Sequence, residues 1–159
     1  MQPAQSLDSF DRRILAILQV DSACSIGSIA EQISLSANAC WRRIRMMEER
    51  GIITRRVALL DAEKLGVGVT VFVNLRLSEH SPETLERFAR LIADMPEATE
   101  FCRISGEFDY LLKLQVADIT AYDRAYKRLI QTVRLADVRA SFAMEVLKRT
   151  TAISLDAIT

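Results

Sequence analysis

Six arginines crowd into a short stretch of this chain. Arg42, Arg43, Arg45, Arg50, Arg55 and Arg56 lie between Leu35 and Arg56, against only Glu48 and Glu49. The local excess is +4 in a chain of zero formal net charge, so the remainder carries −4. Such a patch attracts nucleic-acid phosphate at one place and repels it elsewhere. On a helical wheel with Asn38 at zero, Arg42 and Arg45 fall within roughly 40° and Trp41 within roughly 60°. Cys40, Ile44 and Met47 take the opposite side. Arginine binds guanine bidentately and asparagine does the same for adenine. The spacing therefore predicts a reading face of Asn38, Arg42 and Arg45, with Ser36 at the start of the helix as a further contact. Trp41 reads equally as a packing residue or a DNA contact. Arg43 falls beside the apolar side and is expected to pair with an acid or a backbone phosphate. Arg55 and Arg56 are expected to hold phosphate. Glu49 is expected to pair with Arg45 at i,i+4.

Three short helices position this face. Asp8 is an N-cap for a helix with Phe10, Ile14, Ile17 and Leu18 on one side, and Asp21-Ser22-Ala23 breaks it. Ser25 caps a second helix carrying Ile29, Ala30 and Ile33, and Ser34-Leu35-Ser36 is a turn. Ser36 caps the third, which runs to Arg50, with Gly51 placed as a C-terminal glycine. Two short helices, a tight turn and a longer basic helix make a helix-turn-helix, a motif for double-stranded DNA. The β-prone stretch Ile52 to Leu60 reads as a wing or as a strand leaving the helical domain.

After the hinge Asp61 to Gly68 the period changes. Val69, Val71, Val73, Leu75 and Leu77 alternate as a strand. Pro82 opens a helix with Leu85, Phe88, Ile92 and Met95. Ala98 to Ile104 and Asp109 to Ala117 read as two strands joined at Ser105 to Phe108. Asp118 caps another helix, and Val138 to Val146 alternate in a last strand. The order βαββαβ predicts a ferredoxin-like domain. The expected fold is α+β, with a winged helix-turn-helix at residues 1–60, a hinge at 61–68 and a ferredoxin-like domain at 69–159. The strands carry apolar residues in both alternations, as with Phe72 between Val71 and Val73. Such a sheet wants a second cover, which predicts a homodimer packed sheet against sheet.

Composition excludes several classes. Half the chain is apolar and 26% is charged, an ordinary globular mixture. No apolar run is long enough to cross a bilayer and no apolar signal core stands near the start, so the expected compartment is the cytoplasm, without a membrane partner. Cys24, Cys40 and Cys102 have no metal-ligand spacing and read as small hydrophobes in a reducing compartment. With His80 as the only histidine and no triad, metal cluster or phosphate loop, enzyme chemistry is not expected, nor is a cofactor.

Leu7 to Leu15, the turn Leu35-Ser36, Arg43 to Glu48, Gly51-Ile52-Ile53 and the stretch Ser105-Gly106-Glu107-Phe108-Asp109-Tyr110 resemble the Lrp/AsnC regulators. The last of these resembles that family's Gly-x-x-Asp-Tyr motif. The resemblance covers nearly the whole chain. It implies an amino-acid-responsive transcription regulator whose dimers assemble into octamers. A narrower resemblance, through Cys40 to Ile44, Val57 to Lys64, His80-Ser81 and Ser141 to Glu145, is to a cysteine-responsive branch, and implies a cysteine-type effector. Ala37 and Asn38 depart from the small hydroxyl or proline residues frequent there, and Met47 replaces a usual leucine.

The resemblance places a small amino acid around Arg103, Ser105, Gly106, Glu107, Asp109 and Tyr110, between dimers. Gly106 permits close backbone approach. Asp109 can receive an α-ammonium, or else caps a turn. Arg103 can hold an α-carboxylate, or else pairs on the surface with Glu100 or Glu107. Tyr110 walls the pocket or joins the core, and His80 is expected to be solvated. An architectural DNA-binding protein with no effector is the competing reading, and the hairpin pocket discriminates the two.

Overall fold

The computed structural model describes residues 6–156. Nine elements follow one another: α1 (Ser9–Leu18), α2 (Ile26–Ile33), α3 (Ala37–Glu49), β1 (Val69–Leu77), α4 (Pro82–Ala93), β2 (Ala98–Arg103), β3 (Tyr110–Val116), α5 (Ile119–Thr132) and β4 (Leu135–Phe142). They form two compact units. One contains the described residues up to Leu59 together with those from Lys148, and the other contains Leu60–Leu147. The division expected from sequence leaves that terminal segment with the second domain; its packing groups it with the first.

Caps set the limits of the first unit. Asp8 Oδ1 accepts from the Asp11 N–H at 2.9 Å, and Asp11 Oδ2 accepts from the Asp8 N–H at 3.2 Å, a reciprocal capping box that starts α1. Ser25 and Ser36 cap α2 and α3 through their hydroxyls. Ser34 turns the chain between these helices in the left-handed region, at φ 60°. α3 ends as a Schellman motif, with the Gly51 N–H bonded to Glu48 O at 3.0 Å and the Ile52 N–H to Met47 O at 2.9 Å. Gly51 holds φ 71°, which a side chain would strain. Ile14, Ile29, Ile33, Cys40, Ile44 and Met47 form the core between the three helices. The expected wing strand is absent: residues 52–60 form no strand in the described chain, because no described segment supplies it with ladder bonds.

The second unit is a four-stranded antiparallel sheet in the order β2-β3-β1-β4. With helices following β1 and β3, this is the expected ferredoxin-like βαββαβ topology. Val71, Val73, Leu75, Leu112 and Leu114 share one face and pack with Phe88 of α4 and Leu129 of α5. The other face is more polar than the alternation suggested. Thr70, Asn74, Lys113 and Gln115 surround Phe72, which is 38% exposed, and Thr70 Oγ1 bonds Gln115 Oε1 at 3.0 Å. β4 also ends early, at Phe142 rather than Val146. Its partner β1 begins at Val69, and the last bond between them runs from the Ala143 N–H to Thr70 O at 3.0 Å. Beyond that point alternation has no neighbour to pair with.

Candidate nucleic-acid interface and effector hairpin

α3 is the scaffold of the basic face. Its capping and its packing through Cys40, Ile44 and Met47 fix which residues point outward. Asn38, Arg42 and Arg45 are exposed together, and Trp41 beside them is 50% exposed. Ser36 is committed to its cap, accepting from the Ala39 N–H at 3.2 Å. Arg42 has no ion-pair partner among the described residues, so its guanidinium is open to a ligand. Arg45 lies 3.5 Å from Glu48 at i,i+3, not beside Glu49 as the i,i+4 expectation had it.

The arginines divide into different jobs. Arg43 turns back into the fold, where Nη1 donates to Asp8 Oδ2 at 2.7 Å and Asp11 Oδ1 at 2.8 Å, with its guanidinium carbon 5.4 Å from the Phe10 ring centre. The Asp11 side chain is 5% exposed. This pairing with acids removes Arg43 from the DNA-facing set and makes it a brace between α3 and the start of α1. The Asp11 hydrogen bond, then Asp8, push the guanidinium pKa further up. The Asp11 N–H, with Arg43, holds the Asp8 carboxyl below its ordinary value against the opposing effect of desolvation. Arg56 is paired with Glu48 at 3.1 Å, whereas Arg55 is exposed and has no ion-pair partner among the described residues. Sequence reasoning missed Arg13, which donates to the carbonyls of Gln32 at 3.0 Å and Ile33 at 3.2 Å and so satisfies the end of α2. The signal was the basic residue itself; its distant partner was not readable.

At the β2–β3 hairpin the outcomes are mixed. Gly106 sits at φ +136°, and a Cβ there would meet nothing within 4 Å. Backbone conformation, rather than space, demands glycine. Asp109 acts as a clamp on its own fold. Its Oδ2 accepts the Leu77 N–H at 2.9 Å and lies 3.1 Å from His80 Nε2, while its backbone bonds Leu75 and Ile104. His80 therefore has a partner rather than water alone. Tyr110 belongs to the core, stacked on Phe101 at 5.1 Å and edge-on to Phe88 at 5.4 Å. Arg103 is exposed and pairs with neither expected acid: Glu100 lies 3.9 Å from Lys113, and Glu107 lies 2.8 Å from Arg139. Ser105 and Glu107 are exposed at the turn. Arg139, unmarked in the sequence reading, also lies over the Phe108 ring at 4.9 Å and fastens the hairpin to β4. Arg139 stands 32 residues from Glu107, so only its own place among the alternating residues of the last strand was available as a signal. Among the described residues no group of histidine, cysteine and carboxylate side chains could hold a metal, and no helix is long and apolar enough to cross a membrane.

Comparison with known proteins agrees with this geometry. Residues 7–54 match the winged helix-turn-helix DNA-binding family, and residues 70–153 match the Lrp/AsnC ligand binding domain. The chain is 50% identical over 151 residues to the glutamate uptake regulatory protein of Zymomonas mobilis, covering 95% of this chain and 92% of that protein. It is 45% identical over 151 residues to the DNA-binding transcriptional activator DecR of Escherichia coli, covering 94% and 99%. The transcriptional regulator NMB0573 of Neisseria meningitidis, solved as its L-Met complex, superposes with a TM-score of 0.91 at 28% identity, covering 95% and 98%. This family consists of regulators rather than enzymes, and the chain belongs to it: it is a DNA-binding transcriptional regulator of the Lrp/AsnC type.

Proposed function

We propose that Asn38, Arg42 and Arg45 read base edges in the major groove, with Trp41 at the margin and Arg55 on the phosphate backbone. The observation that carries this reading is the unpaired, exposed guanidinium of Arg42 on a helix capped at both ends. A preorganised fork binds at smaller entropic cost than one that must first leave an internal partner. Ser36 supports the face by fixing the first turn. Arg56 contributes only after it exchanges Glu48 for phosphate.

A small amino acid at the Arg103 to Tyr110 hairpin is the proposed effector, acting on homo-oligomer assembly or on DNA affinity. Arg103 supplies a free fork for the α-carboxylate, and Asp109 Oδ1 keeps acceptor capacity for the α-ammonium while Oδ2 serves the fold. Ser105, Gly106 and Glu107 frame the approach, and Tyr110 supports it from the core. The effector's side chain is a separate matter. One relative is named for glutamate uptake and another fold relative was solved with L-methionine, so cysteine is one member of the set to be tested. Assembly of homodimers into octamers, which the family resemblance implies, is part of the same proposal, with the hairpin beside a neighbouring copy.

The test is a thermal-shift screen with the common amino acids, followed by anisotropy titration on DNA upstream of the protein's own gene. An effector raises the midpoint of wild type, and Arg103→Ala abolishes that rise. If no amino acid shifts the midpoint or the DNA affinity, the effector reading fails and the protein is an architectural DNA binder. The engagement of Asp109 with Leu77 and His80 is the observation that favours this second reading.

A further inference from the structure

Neither half of the proposed function uses the chain after β4. Residues 150–154 run without helix or strand and group with the DNA-binding unit. Gln19, the C-cap of α1, donates from Nε2 to Ile153 O at 3.1 Å and accepts at Oε1 from the Ile153 N–H at 2.9 Å. One side-chain amide thus satisfies both backbone groups of one residue, as a rung of a sheet would. Thr150 Oγ1 accepts from the Ala152 N–H at 3.0 Å and shapes the approach. Thr151, Ile153 and Leu155 recur at every second position and line one groove of about 610 Å³, whose other wall includes Leu18, Ile53 and Val57.

The attachment is shallow. Both docking hydrogen bonds join uncharged groups, and Ile153 remains 72% exposed. Connectivity gives it a consequence. The 61–68 segment leads into the start of β1, and the tail continues from the end of β4. These strands are neighbours, and the Ala143 N–H bonds Thr70 O at 3.0 Å where the two connections meet the sheet. Two chain segments therefore leave one corner of the sheet, and both continue into the DNA-binding unit.

We propose that the segment Thr150 to Leu155 is an intramolecular ligand of the DNA-binding unit, a strap docked through Gln19 that adds a second attachment to the covalent one at Leu59–Leu60. Its bearing on regulation rests on the effector-responsive reading above: an effector that biases the sheet then has two connections through which to act. The chain's single tryptophan, Trp41, reports on the strap without effector or DNA. Nanosecond anisotropy decay is measured on wild type, Gln19→Ala, Gln19→Glu and a chain ending at Arg149. Gln19→Glu keeps α1 intact but sets a carboxylate against the Ile153 carbonyl. All three variants are expected to show a larger fast segmental amplitude, with unchanged helix content. Decays identical to wild type in all three overturn the strap. Loosening by truncation alone, with both Gln19 variants unchanged, overturns its docking through Gln19. DNA affinity with and without effector, measured in parallel, is expected to converge in the variants. A wild type that shows no effector dependence refutes the effector reading, and the Trp41 decays still decide the strap.

Discussion

Arg43→Ala separates bracing from DNA recognition. Arg43 makes two charge-assisted bonds, at 2.7 Å to Asp8 and 2.8 Å to Asp11. Removing one partner of a fully buried pair costs about 3–5 kcal/mol. Here Asp11 is nearly buried, at 5% exposure, but Arg43 is 29% and Asp8 49% exposed, so water takes over part of the loss. A cost of about 2 kcal/mol is expected, which lowers the midpoint of so small a unit by about 8–16 °C. Unfolding is followed by Trp41 fluorescence. A double-mutant cycle with Asp11→Asn is expected to give a coupling of about 1–2 kcal/mol. At a temperature where the variant is folded, its DNA affinity stays within about threefold of wild type, because Arg43 points inward. A variant with unchanged midpoint and a DNA defect as large as that of Arg42→Ala refutes the bracing role.

Three further outcomes are expected. Ser34→Gly relieves the left-handed turn at φ 60° and raises the midpoint of the DNA-binding unit, for a gain of about 1 kcal/mol; a lower midpoint contradicts it. Gly106→Ala destabilises the sheet unit by about 1–3 kcal/mol through backbone strain alone, since the new methyl meets no atom within 4 Å; an unchanged midpoint shows that the hairpin accommodates φ differently. Acid weakens the DNA-binding unit: the fold holds the Asp8 carboxyl below its ordinary 3.8, so its contribution is complete above that value and is lost as pH falls through the lowered one. Trp41-detected melts should be flat down to about pH 4 and fall below it, with a shallower acid slope in Arg43→Ala.

Much of this was legible because caps are local. Asp8, Ser25, Ser36 and Asp118 each cap a helix through a residue three positions on, so the sequence carries both partners. The outward set on α3 was legible for a similar reason, since three core residues fix the helix's rotation. Strand ends were less so: β4 stops where β1 runs out, whatever its own alternation says. The roles of Arg43 and Asp109 depended on partners about thirty residues away, Asp8, Asp11 and the Leu77 amide. A wheel shows that Arg43 leaves the reading arc but not what it meets. The tail was the least legible, because an extended polar-apolar segment carries no mark of the groove it lines.

The reading face itself is tested by fluorescence-anisotropy titration of duplex DNA from upstream of the protein's gene against wild type and the Arg42→Ala/Arg45→Ala double variant, with unrelated duplex as the control. Removing an arginine that grips a base bidentately costs about 1–3 kcal/mol. The double variant is expected to lose about a hundredfold or more on the upstream DNA and much less on the control, while keeping the wild-type unfolding midpoint. Equal affinity of wild type and double variant for the upstream DNA would contradict the assignment of α3 as the recognition helix.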